Sequence, residues 1–191
     1  IELAPGYSIS RIITGLWQVA DIEKEDGSMD LGPAASALVD YAESGFDTFD
    51  MADHYGSAEL IAGHARRKMQ EHDTANGPSS KARFHIKWCP EPGEMTPQKV
   101  REGVLLSAER LDMEQIDLMQ FHWWNYEHPQ YLDAMEGFQA LKEEGIICHL
   151  GLTNFDTDHL HLLLQEGIPI ISNQVVAVSY THLTLPTTTS V

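Results

Sequence analysis

The chain has 191 residues, enough for one domain with a substantial core. It carries 29 acidic and 12 basic residues, a net charge of −17. That argues against nucleic acid and anionic membrane as partners, because both are bound through basic surfaces, and no apolar run approaches the roughly 18 residues of a membrane span.

Apolar, β-rich runs alternate with helical patterns along the chain. The first predicted strand covers 12–15, followed by an acidic, glycine-containing loop over 21–31. Pro33 opens a helix at a favoured first-turn position and Gly45 closes it, with Leu38, Tyr41 and Ala42 on one face. A strand over 48–50 leads to a second helix at about 57–70. A polar connector without periodicity, 72–81, separates it from a strand at 84–88. The third helix has Thr96 as N-cap, Pro97 at its first position, and a stripe of Val100, Val104, Ala108 and Leu111. A strand at 118–122 precedes a helix at about 129–144, with Leu132, Met135, Phe138 and Leu141 inward. A strand at 148–152 precedes a helix at about 157–166 carrying Leu160, Leu163 and Leu164. The last strand is 170–174.

Strand–helix alternation implies a parallel sheet with right-handed crossovers. A doubly wound open sheet and a (β/α)8 TIM barrel both fit. No G-x-G-x-x-G follows the first strand, which weakens the dinucleotide-fold option. Polar residues end several different strands, as on the C-terminal face of a barrel. The expected fold is therefore an α/β barrel, incomplete, with about six strands in residues 1–175. The segment 176–191 has no helical stripe and no charge, is crowded with threonine, and is interrupted by Pro186. It reads as a non-native or disordered tail. A chain opening on Ile1 reads as processed or as a fragment, so the compartment is expected to be cytoplasmic, or organellar if a leader has been lost. Cys89 and Cys148, next to or within apolar segments, read as reduced core residues rather than a disulfide.

The strand ends carry chemistry. Asp50 ends the second strand, and Tyr55 lies in the loop that follows. Lys87 interrupts the apolar 84–88 run, and His122 ends the next strand. A lysine in a buried parallel strand is costly unless paired. These four groups suit reduction of a carbonyl, where negative charge develops on oxygen and a proton donor must meet it. On this reading Tyr55 donates the proton, and the ammonium of Lys87 lowers its pKa. Asp50 keeps Lys87 charged, and His122 orients the oxygen. Trp17, Trp123, Trp124 and Tyr126 follow strand ends and are candidates for the wall of an apolar substrate pocket, with core or loop packing as the alternative; Trp17 and Trp123 are the two singled out. His159 and His161 are two apart on a helix and face different ways, and the other histidines show no ligand spacing, so no metal is expected.

The run Phe46-Asp47-Thr48-Phe49-Asp50, followed by His54-Tyr55-Gly56-Ser57-Ala58-Glu59, closely resembles the first signature of the aldo-keto reductases. So do Gly15-Leu16-Trp17-Gln18, Ile86-Lys87, Phe121-His122-Trp123, Gly151-Leu152-Thr153-Asn154-Phe155 (Thr153 where that family has Ser) and Ser172-Asn173-Gln174-Val175, in family order over about 11–175. The resemblance implies a (β/α)8 barrel that binds a nicotinamide cofactor, NADPH or NADH, without a dinucleotide fold. It implies Tyr55 as general acid, tuned by Lys87 and Asp50, with His122 orienting a small-molecule carbonyl substrate. It implies Asn154 and Gln174 on the nicotinamide carboxamide with Thr153 helping, and Asp50 near the cofactor ribose. Equivalents of strands seven and eight and of the late basic cofactor clamp are missing from the 191 residues. Some members of the superfamily act instead as cofactor-binding regulatory subunits of ion channels, and an inactive fragment is a further alternative.

Overall fold

The computed structural model describes residues 1–19, 31–76 and 82–176. Most of the acidic loop, the end of the polar connector and nearly all of the tail lie outside the described residues.

A two-stranded antiparallel hairpin opens the chain, β1 (Glu2–Ala4) and β2 (Tyr7–Ser8). Six parallel strands follow: β3 (Thr14–Gly15), β4 (Thr48–Ala52), β5 (Arg83–Trp88), β6 (Ile116–His122), β7 (Ile147–Thr153) and β8 (Ile170–Gln174). Their order in the sheet is their order in the chain. The described helices are α1 (Leu31–Glu43), α2 (Ala58–Asn76), α3 (Pro97–Leu111), α4 (Tyr131–Glu143) and α5 (Thr157–Gln165). The sheet curls. Side chains from β4 and β6, two strands apart, meet at 2.9 Å (Gln120 on Asp50), although flat neighbouring strands stand about 4.8 Å apart. The expected incomplete barrel is thus observed, with six strands.

The two-residue alternation of the strands sorts their side chains. Phe49, Met51, Ile86, Met119, Phe121, Leu150 and Leu152 are fully buried and share one core with Ile61, Val100, Val104 and Phe138 of the helices. The opposite face carries Asp50, His85, Lys87, Gln120, His122 and Thr153, all buried polar groups. A parallel strand covered on both faces tolerates such groups only where they find partners. Of the helices, α3 follows its sequence signals closely: Thr96 Oγ1 accepts from the Lys99 N–H at 3.2 Å, Pro97 begins the helix, and all four stripe residues are buried. Four expectations are corrected. The second helix runs on to Asn76, into the segment read as a connector. Ile12 and Ile13 stay exposed and the first sheet strand begins at Thr14. Tyr41 is 49% exposed, because α1 packs through the narrower stripe Ala35, Leu38 and Ala42. Leu164 is 46% exposed, and Leu163 is the buried residue of α5.

The hairpin, absent from the sequence reading, brings Tyr7 against the strands' polar face. Its hydroxyl is 3.0 Å from His85 Nε2, its ring 4.4 Å from the His149 ring, and the Arg83 guanidinium lies 4.9 Å over it. Burial holds the His85 pKa down, from 6.5 to about 4. Between these values the unfolded chain takes a proton that the folded chain refuses. Stability from His85 is therefore complete above 6.5 and is lost as pH falls towards 4, by about 3 kcal/mol at most. Half-buried Asp117, whose pKa is raised chiefly by desolvation, works in the opposite sense. The measurement that isolates His85 is the urea midpoint at about pH 7 and pH 4. His85→Gln should lose less stability on acidification than the unaltered chain, and equal losses would remove His85 from the account.

Candidate active site

Parallel register builds the site in two layers. Lys87 of β5 pairs with Gln120 of β6, which pairs with Gly151 of β7. One step further along, His122 pairs with Thr153, and Thr153 with Gln174 of β8. In the lower layer, buried Asp50 accepts two hydrogen bonds. Lys87 Nζ donates to Oδ2 in a buried ion pair, and Gln120 Nε2 donates to Oδ1 at 2.9 Å. Gly151 leaves room for this layer: a Cβ there would stand 2.6 Å from Ser172 Oγ and 3.3 Å from Gln120 Cγ. Pairing of both charges and satisfaction of the carboxylate's second oxygen are what make a buried pair tolerable.

Tyr55 is held above Lys87 by its own turn. The Asp53 N–H donates to the Lys87 carbonyl, the Tyr55 N–H to the Ala52 carbonyl, both at 3.0 Å, and the Ala58 N–H to the Tyr55 carbonyl at 2.9 Å. Lys87 Nζ lies 5.3 Å from the Tyr55 ring centroid. Trp17 and His54 meet the ring edge-on, with centroids 4.6 and 4.9 Å away. Burial first, and then the carboxylate of Asp50, push the Tyr55 pKa from 10.0 up to about 12. Burial and the neighbouring carboxylates thus outweigh the lowering expected from Lys87.

His122 sits opposite. Its Nδ1 is 3.7 Å from the Cys89 thiol, its Nε2 3.4 Å from the Asn154 amide nitrogen, and the Trp124 ring lies 3.8 Å from it. Burial, then Lys87 and His54, push its pKa from 6.5 down to about 4, so the imidazole is neutral near pH 7. Asn154 adopts the left-handed conformation, with φ +57°, which asparagine tolerates. Its N–H donates to the Gln174 carbonyl at 2.8 Å. Asn173 fixes the same loop, accepting from the Phe155 N–H at 3.3 Å and donating to the Phe155 carbonyl at 2.8 Å.

Tyr55, Lys87, His122, Thr153, Asn154 and Gln174, with Val175 and Val176, line one cavity of about 220 Å³. Six residues singled out from the sequence thus face one space, with Asp50 beneath Lys87. Trp17 is half exposed beside Tyr55. Trp123 is only 2% exposed; it packs on Phe121, and its indole N–H donates to the His128 carbonyl at 3.0 Å. The tryptophan against His122 is Trp124. The sequence reading did not single out Gln120 or Asn173. Gln120 was findable by the argument used for Lys87, since it is a polar residue in an apolar strand, two positions before His122 and so on the same face. Among the described residues, one group has the make-up of a cation site: Asp53, His54 and Cys89, beside the cavity.

Chemically, the arrangement offers a protonated phenol, a neutral imidazole and an ammonium–carboxylate pair around a small space. Among the described residues, Thr153 Oγ1 is buried without a hydrogen-bond partner, and a buried hydroxyl of this kind suits a polar ligand.

The model of the Aldo/keto reductase family matches residues 11–184. Methylglyoxal reductase DkgA of Escherichia coli O157:H7 is 26% identical over 176 residues, covering 92% of this chain and 56% of that protein. The NADH-specific methylglyoxal reductase of Escherichia coli K12 is 24% identical over 178 residues, covering 84% and 53%. The chain thus spans about half the length of these curated relatives. Among solved structures, the Bombyx mori aldo-keto reductase in complex with NADP superposes with a TM-score of 0.70 at 19% identity, covering 93% of this chain and 57% of that one. The aldo/keto reductase of Brucella melitensis gives 0.66 at 23% identity, covering 93% and 62%. These two establish likeness of fold. With the family match running through every strand that carries a site residue, the chain belongs to the aldo/keto reductase family.

Proposed function

We propose that this protein reduces the carbonyl of a small aldehyde or ketone to an alcohol, with NADPH or NADH as hydride donor. The observation that carries the reading is the single cavity shared by Tyr55, Lys87 and His122 on one side and Thr153, Asn154 and Gln174 on the other. The second set fits a carboxamide: two side-chain amides offer donors and acceptors, and the Thr153 hydroxyl is buried and unpartnered among the described residues. Asn154, Gln174 and Thr153 would hold the nicotinamide carboxamide, and Asp50 would lie near the ribose. A reduced nicotinamide held there would supply the hydride to the carbonyl carbon.

The residues of the chain do the rest. As the C=O π bond breaks, its electron pair gathers on oxygen, and Tyr55 transfers the phenolic proton to it. With its pKa near 12, Tyr55 is fully protonated at neutral pH. An alkoxide is a stronger base than a phenolate, so the transfer runs downhill even from this raised value. Lys87, fixed by Asp50, then faces the phenolate and stabilises it. His122 is neutral and orients the oxygen by hydrogen bonding rather than by charge. Trp17, edge-on to Tyr55, offers an apolar flank to the substrate.

Both Escherichia coli relatives are methylglyoxal reductases, which makes methylglyoxal the first substrate to test. One of those relatives is NADH-specific and one neighbouring structure holds NADP, so both cofactors are tried. The expected result is cofactor oxidation that depends on the aldehyde. Cofactor that binds but is not oxidised by any of a panel of aldehydes and ketones would contradict the reading.

A further inference from the structure

Asp53 and Cys89 are 36 positions apart in the chain, yet the ends of β4 and β5 interlock them. The Asp53 N–H donates to the Lys87 carbonyl at 3.0 Å, and the Cys89 N–H donates to Asp53 Oδ1 at 3.3 Å. His54 follows Asp53, with Nδ1 3.1 Å from the same Oδ1. One ligand atom from each of the three, a carboxylate oxygen, an imidazole nitrogen and a sulfur, lies within 4.8 Å of the others. The reduction chemistry uses neither Asp53 nor Cys89.

We propose that Asp53, His54 and Cys89 form a binding site for a thiophilic divalent cation, with Zn2+ as the type case, beside the cavity. A mixed sulfur, nitrogen and oxygen set selects zinc-like ions over magnesium or calcium, which take oxygen ligands. Three protein ligands leave a fourth, open position on a tetrahedral ion. Two of the ligands are half-buried and backbone-anchored. The third, His54, has a side chain 43% exposed and can turn to complete the set. Binding is a ligand exchange: the Cys89 thiol releases its proton to solvent as sulfur bonds the metal, and nothing is oxidised or reduced.

The site has a consequence for turnover, which rests on the reductase reading. Cys89 Sγ is 3.7 Å from His122 Nδ1, and the His54 ring is 4.9 Å from the Tyr55 ring. A cation held by Cys89 and His54 places positive charge between the two groups that meet the carbonyl oxygen and draws both neighbours away from them. Occupancy therefore inhibits reduction.

Cobalt(II) titration of the whole chain tests binding without reference to activity. The expected result is one equivalent bound with a sulfur-to-cobalt charge-transfer band. Cys89→Ser should abolish the band and weaken binding at least about a hundredfold, more than the loss of a mere outer contact to a metal ligand. His54→Gln, at an exposed position, should weaken it without disturbing the fold. No binding, or binding unchanged in both variants, would overturn the site. A second titration reads inhibition by Zn2+, each variant against its own metal-free rate. Loss of inhibition in Cys89→Ser supports the consequence, and Zn2+ bound without inhibition overturns it. If no carbonyl is reduced at all, the reductase reading fails while the cobalt result still decides the site.

Discussion

Tyr55→Phe is expected to lower carbonyl reduction by about 10²–10⁴-fold, the usual contribution of a positioned general acid. The variant deletes one oxygen at the cavity wall. The ring keeps its contacts with Trp17 and His54, and the turn that holds residue 55 is made by backbone bonds. Folding should therefore be unchanged, and cofactor titration should give a Kd within a few-fold of the starting value. The check is kcat with a saturating aldehyde, alongside that titration. A variant that keeps its kcat would show that another group, with His122 or solvent the nearest alternatives, delivers the proton.

Lys87→Met should have the largest effect on stability. The Lys87–Asp50 pair is buried, with side chains only 5% and 11% exposed. Removing the ammonium leaves Asp50 with Gln120 as its remaining partner. Breaking one half of a buried pair costs about 3–5 kcal/mol, because the surviving charge stays desolvated. The urea midpoint should fall accordingly, and turnover should fall with it. Adding Asp50→Asn should restore part of the stability, since a neutral amide still accepts from Gln120 through its oxygen. It should not restore turnover, because the phenolate of Tyr55 still lacks its ammonium. A double variant no more stable than Lys87→Met would mean that the loss comes from packing of the lysine stem rather than from the stranded charge.

Much of this was legible in the residues because the rules that apply are local. Thr96 and Pro97 announce α3 by capping chemistry that depends on four consecutive residues. Lys87 and His122 stand out because polar groups rarely interrupt buried parallel strands, and the structure brings them to one cavity. What stayed hidden depends on register and depth. The bond from Gln120 to Asp50 joins strands two apart, a contact that exists only because the sheet curls. The direction of the Tyr55 pKa turns on burial first and on the nearby carboxylate of Asp50, and a sequence displays neither the depth nor the distance. The placing of Trp123 and Trp124 was closer to reach. His122 faces the cavity, so alternation sends 123 to the core and returns 124 to the His122 side, as observed. The opening hairpin gave no periodic signal, because strands of three and two residues are too short to show one.

On the proposed function, this cavity brings a nicotinamide hydride to a carbonyl carbon. The most direct measurement follows the hydrogen itself. The protein, expressed from its own coding sequence, is incubated with nicotinamide cofactor deuterated at the transferable position and with methylglyoxal, and the alcohol formed is analysed by mass spectrometry and NMR. The expected result is deuterium on the former carbonyl carbon, with the hydroxyl proton drawn from solvent, and strong loss of the labelled product in Tyr55→Phe. Bound cofactor with no labelled alcohol from this or any other carbonyl tried would contradict the proposed function.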